Sequence, residues 1–296
     1  MDPASAASGW RSGSLRYNPL TTGIATLAQQ ATEFNSNYNS LQVVLNKRLS
    51  QRLSFLAAYT WSRSFDENSS VDNQDMFIPP GINPFNLRIM YGPSDNDAPQ
   101  RFVFSYDYTL PFYRFAHRFR RLTDGWKLVG ITTFQSGFPV RVANTAAPSD
   151  TCWGAAEVLD VPCWDRPNRT GAALNIGNPR TYTINGTSNY YFNPAAFTQA
   201  APGTGTGTSP RNPLHGPGIN NFDISLLKDI HITESKYIEL RLETYNTFNH
   251  TQFTPYSYQP NLGIGGVVAD INDPRFGRVI AASGARVLQL AGKIYF

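Results

Sequence analysis

Apolar and polar residues alternate along several segments of the chain, and stretches rich in Gly, Pro, Asn, Ser and Thr separate these segments. In the clearest one, residues 53–62, every second residue is apolar or aromatic: Leu53, Phe55, Ala57, Tyr59 and Trp61. A period of two residues indicates a β-strand. About ten residues is also the length with which a tilted strand crosses an outer membrane. The alternation therefore predicts an all-β chain whose strands can span a membrane.

Seven segments carry this pattern, and the links between them alternate in length. The predicted strands are residues 40–48, 53–62, 101–110, 126–142, 220–230, 236–248 and 285–296. Short links at 49–52, 111–125 and 231–235 alternate with long ones at 63–100, 143–218 and 249–284. Short periplasmic turns and long extracellular loops are the layout of outer-membrane barrels. We therefore predict an antiparallel transmembrane β-barrel over residues 37–296, preceded by an extracellular loop or disordered segment over residues 1–36.

The segment 236–248 has one apolar and one charged face. Its alternate positions hold Ile238, Leu240 and Leu242 on one side and Glu239, Arg241 and Glu243 on the other. A soluble sandwich rarely directs a charged face into its interior, whereas the water-filled lumen of a large barrel accepts one. Glu239, Arg241 and Glu243 are therefore candidates for the lumen lining. Ion pairs with neighbouring strands are the purely structural alternative for the same residues.

The last segment has the sequence ARVLQLAGKIYF, with Leu288, Leu290, Ile294 and Phe296 on one face. An amphipathic final strand that ends in Phe is similar to the carboxy-terminal signal read by the machinery that inserts outer-membrane barrels. We expect outer-membrane lipid and this barrel assembly machinery to be partners of the chain, and the bacterial outer membrane to be its location.

Composition and charge narrow the possible classes of protein further. Charged residues make up 16% and aromatic residues 13% of the 296 residues, and mean hydropathy is −0.33. No apolar stretch reaches the roughly 20 residues of a membrane-spanning helix. The net charge of +4 is scattered, with one dense cluster at 118–121, so we expect no nucleic-acid partner. The first thirty residues lack the apolar core of a secretory signal peptide, and we expect the chain to be part of a longer exported protein.

Candidate chemistry is sparse. Cys152 and Cys163 suit a local disulfide made in an oxidising compartment, or remain unpaired. The acidic cluster at 66–75 (Asp66, Glu67, Asp72, Asn73 and Asp75) lacks the spacing of a calcium loop and favours a solvated loop. No G-x-S-x-G, Walker or H-E-x-x-H motif occurs. We expect no enzymatic activity, cofactor or metal; a secreted β-sandwich enzyme acting on polysaccharide would need paired carboxylates in a cleft.

Several segments resemble the C-terminal barrel of Oar-like TonB-dependent receptors, which carry a carboxypeptidase-regulatory-like domain at the N-terminus. They are NYNSLQVVLNKRLSQRLSFLAAYTWSRSFDE at 37–67, YGPSDNDAPQRFVFSYDYTLPF at 91–112, GWKLVGITTFQSGFPVRV at 125–142, NPLHGPGINNFDISLLKDI at 212–230, IELRLETYNTFNHTQF at 238–253 and the terminal strand. The resemblance implies a barrel of about 22 strands that imports a large substrate with energy from the TonB complex.

Seven strands would form only the C-terminal part of such a barrel. The plug and the segment that engages TonB would then lie in a missing N-terminal part, so this chain would reach the TonB complex only through that part. A different hypothesis is a small surface-displayed outer-membrane barrel that acts as a binding or adhesion protein. It requires eight strands and full closure, with the additional strand near residues 14–20 or 276–281.

Overall fold

The computed structural model describes residues 34–50, 52–67, 69, 87–114, 120–144, 166–176, 182–201, 207–233, 235–253, 266–282 and 284–296. Their strands are β1 (Ser36–Ser50), β2 (Leu53–Asp66), β3 (Gly92–Pro93), β4 (Gln100–Thr109), β5 (Trp126–Gln135), β6 (Pro139–Val140), β7 (Asn168–Arg169), β8 (Phe197–Thr198), β9 (Leu214–His215), β10 (Ile219–His231), β11 (Tyr237–Tyr245) and β12 (Val287–Tyr295). One α-helical turn, α1, spans Arg120–Thr123, and 3₁₀ turns span Leu87–Met90, Phe112–Arg114 and Pro194–Ala196. None of the described helices is long or apolar enough to cross a membrane.

The seven long strands form one antiparallel sheet in the order β1-β2-β4-β5-β10-β11-β12, and β3 adds to the end of β2. Each long strand corresponds to one of the seven predicted from the alternation, so the all-β prediction is confirmed. Neighbours in the sheet are also neighbours along the chain once the short strands are set aside. Within the described residues β1 and β12 pair with no further strand on their outer sides, and the sheet is not closed.

The two ends of the sheet differ in their connections. At the turn end, Ser50 pairs with Leu53 and His231 pairs with Tyr237, so β1–β2 and β10–β11 are joined by short turns. At the loop end, Asp66, Gln135 and Tyr245 lead into the long connections that precede β4, β10 and β12. The alternation of short and long links therefore places all three long loops at the same end of the strands, the loop end.

Strand register separates the residues into an apolar face and a polar face. On the apolar face, one row across the sheet joins Leu128, Leu226, Leu242 and Leu290, and another joins Val43, Tyr59, Phe102 and Phe134. On the polar face, Asp107, Val129, Ser225, Glu243 and Gln289 form a corresponding row. Apart from Val129, each of these rows keeps its chemical character from strand to strand. The two faces differ because side chains one residue apart point to opposite sides of a sheet.

The buried apolar side chains lie outside this sheet. Every fully buried apolar residue in the described part of the chain belongs to the long loops, while Leu290 and Leu41 on the apolar face are 81% and 55% exposed. A soluble sheet would bury such a face against a second layer. An exposed apolar face with a polar face opposite is the arrangement that lipid selects in a barrel wall.

Two strand ends and one suggested strand depart furthest from the sequence prediction. β5 ends at Gln135 rather than at residue 142, and the chain then leaves the sheet to pair β6 with β9. Gly137 passes so close to Gly216 at this point that a Cβ on Gly137 would lie 1.9 Å from the Gly216 backbone oxygen. β11 ends at Tyr245, where the following Asn246 adopts a positive φ of 51°. Residues 276–281 form no strand of the sheet: Phe276 and Val279 are buried in the loops. Residues 14–20 lie outside the described residues.

Candidate functional site

A charged row crosses the polar face near the turn end. Arg241 Nε donates to Glu239 Oε1 over 2.5 Å, and its Nη1 lies 3.7 Å from Glu243 Oε1. Lys127 Nζ donates to Asp229 Oδ2 over 2.8 Å, and Asp229 is the register partner of Glu239. The charged row therefore comprises the predicted residues Glu239, Arg241 and Glu243 together with Lys127 and Asp229 from two neighbouring strands.

Part of the charged row is accessible to solvent, and most of its charge is balanced by opposite charges within the row. Arg241 and Glu243 remain partly exposed, whereas Glu239 and Asp229 are buried. Lys293 in β12 is the register partner of Glu239, so with it the row holds three carboxylates and three cations. Lys127 and Asp229 were not singled out from the sequence, although both lie within predicted strands, 126–142 and 220–230.

The long loops pack into one loop assembly, which comprises residues 87–99, 136–144, 166–176, 182–201, 207–218 and 266–282. Its hydrophobic core centres on Phe192, Phe197 and Phe276, whose rings meet edge to face with centroids 5.1–5.8 Å apart. The connection from β5 to β10 supplies Val140, Val142, Phe192, Ala196 and Phe197, and the connection from β11 to β12 supplies Val267, Ala269, Phe276 and Val279. Burial beside this core raises the pKa of Tyr191 to about 12.

An ion-pair network fixes the loop assembly to the end of β2, and we define it as Arg63, Asp66, Asp95, Asp97, Arg141, Arg211 and His215. Arg211 is its centre: the guanidinium donates to the Asp66 carboxylate, to the backbone oxygen of Asp66 at 2.8 Å and to Ser69 Oγ at 2.5 Å. Arg211 is 3% exposed, and its Nη2 also lies 3.6 Å from Asp95 Oδ1. The connection from β5 to β10 is thereby tied to β2.

Asp97 is the second buried anchor of the network. Its carboxylate accepts hydrogen bonds from the backbone N–H of Ser64 at 2.8 Å and from Arg63 Nη1 at 3.0 Å. His215 Nε2 lies 3.0 Å from the same carboxylate. With a side chain fully removed from solvent, Asp97 thus connects β2, the connection before β4 and β9.

Asp95 connects one further cation, Arg141, and the neutral amide of Asn212 to the network. Arg141 Nη2 donates to Asp95 Oδ2 at 2.6 Å, and Asn212 Nδ2 donates to Asp95 Oδ1 at 2.6 Å. Burial by itself would raise the pKa of Asp95, but Arg141, Asn212 and Arg211 together outweigh it and hold the pKa below its usual value. The folded loop assembly therefore prefers the ionised carboxylate.

The lowered pKa of Asp95 predicts acid sensitivity of the loop assembly. Its contribution to stability is present above the unfolded pKa of about 3.9 and is lost as the pH falls through the lower folded pKa. We expect pepsin to cleave the loops of the Asp95→Asn variant faster than those of the wild type at pH 5, with the two rates converging toward pH 2. Mass spectrometry of the fragments measures both rates. A ratio that stays constant across this range would contradict the assignment.

The other predicted site residues fall into two groups. Leu288, Leu290 and Ile294 share the apolar face of β12, and Phe296 follows the strand with 97% of its surface exposed. Cys152 and Cys163 lie outside the described residues, so their disulfide stays a prediction. Of the acidic cluster, Asp66 and Glu67 are buried at the loop end rather than solvated, and its other members are likewise outside the described residues.

The exposed apolar face, the charged face opposite and the separation of short turns from long loops define the class: this is a bacterial outer-membrane β-barrel protein. The family model of the outer membrane beta barrel domain matches residues 2–289. The chain belongs to that family, and its location is the bacterial outer membrane. No curated protein and no solved structure matches the chain significantly.

Proposed function

We propose that the chain forms the C-terminal wall of a TonB-dependent outer-membrane receptor that takes up a large substrate. The observation that carries this proposal is the open sheet of seven long strands, whose two free edges call for further strands in lipid. The resemblance of several segments to Oar-like receptors supports it as well; these segments include all members of the ion-pair network except Arg211. The proposal assigns no catalytic step to the chain.

The charged row gives the wall its role in this proposal. With the apolar face against lipid, Lys127, Asp229, Glu239, Arg241 and Glu243 face the barrel interior. Partly exposed charges there require a wet lumen rather than a packed core. The row then lines the path that a substrate follows. In this proposal the TonB complex would act through a plug and an N-terminal segment encoded upstream of residue 1.

Measuring the size of the native polypeptide tests the proposal. Outer membranes of the source bacterium are separated by denaturing electrophoresis, and tryptic peptides of this chain are located by mass spectrometry. We expect them in a band far above 32.9 kDa, with a plug and earlier strands encoded in frame upstream of residue 1. A band at 32.9 kDa with an unrelated gene upstream would overturn the proposal.

The loop assembly favours a second candidate function, a surface-displayed barrel for binding or adhesion. Its aromatic core and ion-pair network hold the loops in a fixed arrangement, as a recognition surface requires. The same size measurement separates the two, because this candidate expects the small polypeptide. Direct support would come from whole-cell binding that is lost after external protease has removed the loops.

A further inference from the structure

The connection between β4 and β5 is the longest of the three turn-end connections in the described sheet. Its described parts are residues 111–114 and 120–125, which we call the basic turn. The basic turn contains Arg114, Arg120 and Arg121 against one acidic residue, Asp124, so three positive charges and one negative charge give it a net charge of +2. The net charge of the whole chain is +4. Half of the net positive charge therefore lies in this one connection.

Trp126 attaches the basic turn to the lipid-facing side of the sheet. Trp126 is the first residue of β5 and lies on the apolar face, two residues before Leu128. Its indole Nε1 donates to the backbone oxygen of Leu122 in α1 over 2.7 Å. The ring of Phe112 meets the Trp126 ring edge to face, with centroids 6.3 Å apart. Both ends of the basic turn are therefore packed against a lipid-facing side chain rather than beneath the lumen.

Lys228 is a charged residue on the apolar face near the turn end. Its register partners are Trp126 and Leu240, and it is 6% exposed. Its Nζ donates to the backbone oxygen of Asp124 in the basic turn and lies 5.7 Å from the centroid of the Trp126 ring. A lysine on a lipid-facing row is stable where the hydrocarbon gives way to the headgroups, because its long stem lets the charge reach that level. Lys228 therefore places the basic turn at the depth of the periplasmic headgroups.

The basic turn also presents apolar side chains to its surroundings. Leu122 in α1 is 70% exposed, and Phe112 is 40% exposed. A segment that combines exposed apolar side chains with arginines binds at a membrane interface, with the apolar side chains at the acyl boundary and the charges among the headgroups. The composition of the basic turn and its position beside the lipid-facing wall thus agree.

We propose that the basic turn binds the headgroup phosphates of anionic phospholipids in the periplasmic leaflet of the outer membrane. Arg114, Arg120 and Arg121 supply the complementary charge, and Leu122 inserts among the acyl chains. Trp126 and Lys228 hold the turn at the interface. The inference rests on the location in the outer membrane and not on the uptake of a substrate, so it applies equally to a large receptor and to a small barrel.

Lipid selectivity tests the role of the arginines. The full polypeptide that carries this chain is purified from outer membranes and titrated with phosphatidylglycerol or with phosphatidylethanolamine, and native mass spectrometry gives a dissociation constant for each lipid. We expect phosphatidylglycerol to bind more tightly. In the double variant Arg120→Gln and Arg121→Gln this preference should fall by about fivefold for each arginine removed. High salt should weaken the preference of the wild type, because it screens charges at the surface.

The double variant Arg88→Gln and Arg275→Gln is the matched control, because it removes the same charge from two exposed arginines in the loop assembly. Its preference for phosphatidylglycerol should equal that of the wild type. Equal affinity of the wild type for both lipids, a preference that survives in Arg120→Gln and Arg121→Gln, or an equal loss in the control would each overturn the proposal. Competition by inorganic phosphate at the concentration of the lipid would also overturn it, because the turn would then recognise a free ion.

The depth of Leu122 gives a second readout that does not depend on how the arginine variants fold. A nitroxide label is attached to Leu122→Cys in a Cys152→Ser and Cys163→Ser background, in vesicles of phosphatidylethanolamine and phosphatidylglycerol. Collisions of the label with oxygen, which concentrates among acyl chains, should exceed collisions with a water-soluble nickel chelate. Thr233→Cys, in the turn between β10 and β11, should show the reverse. A label on Leu122→Cys that collides mainly with the nickel chelate would overturn the proposal.

Discussion

Replacing Arg211 with alanine is expected to destabilise the loop assembly by about 3–5 kcal/mol, the cost of removing one partner from a buried ion pair. The guanidinium donates to the carboxylate and the backbone oxygen of Asp66 and to Ser69, and Arg211 is only 3% exposed. Its loss leaves Asp66 buried with an uncompensated charge. The connection from β5 to β10 then loses its tie to β2.

Hydrogen exchange followed by mass spectrometry measures this effect. Amides of the loop assembly should exchange at least a hundredfold faster in the Arg211→Ala variant, while amides of β10 and β11 keep their rates, because 3 kcal/mol corresponds to more than a hundredfold in an opening equilibrium. Arg275→Ala is the matched control: Arg275 pairs with Asp273 two residues away and is largely exposed, so exchange should not change. Equal effects of both variants would refute the role given to Arg211.

Placing an arginine at Leu226 is expected to destabilise the inserted sheet by about 2–4 kcal/mol, the penalty for a charge at mid-depth on a lipid-facing wall. Leu226 lies near the middle of β10 on the apolar face, between Leu128 and Leu242. A long arginine side chain can bend toward the membrane surface. From the middle of a strand, however, it does not bring its charge fully to that surface. The substitution therefore lowers the stability of the inserted sheet.

The adjacent position supplies the control. Ser225 lies on the polar face with Glu243 as its register partner in β11, so Ser225→Arg should change stability little and could gain an ion pair. Urea unfolding in lipid vesicles compares the two variants with the wild type. If Ser225→Arg were the more damaging substitution, the assignment of the lipid-facing side would be reversed.

The sequence predicts the sheet well because lipid imposes a local rule. Each crossing strand must alternate, so β2 and β11 are recognisable from ten residues each. The loop assembly obeys no such rule. Asp66 and Arg211 stand 145 positions apart, and Phe192 and Phe276 come from different Gly- and Pro-rich connections. A single sequence offers no periodic signal for contacts of this kind, which is why the acidic cluster at 66–75 was expected to lie in a solvated loop.

Boundaries were missed for a related reason. The predicted strand 126–142 included Val140 and Val142, which are buried. Their partners, however, are in the loop assembly and not in the wall. The close approach of Gly137 to Gly216 that diverts the chain is a tertiary contact, visible only once both segments are placed.

The distribution of the loop core between two connections sets an order of folding. Val267 and Phe276 come from the connection that precedes β12, so the core that contains Phe192 is incomplete until that connection has packed against the connection from β5 to β10. Contacts between distant segments form late, since they require long chain closures. A conformation-specific antibody against the packed loops would therefore report, from outside the cell, that these two connections have come together.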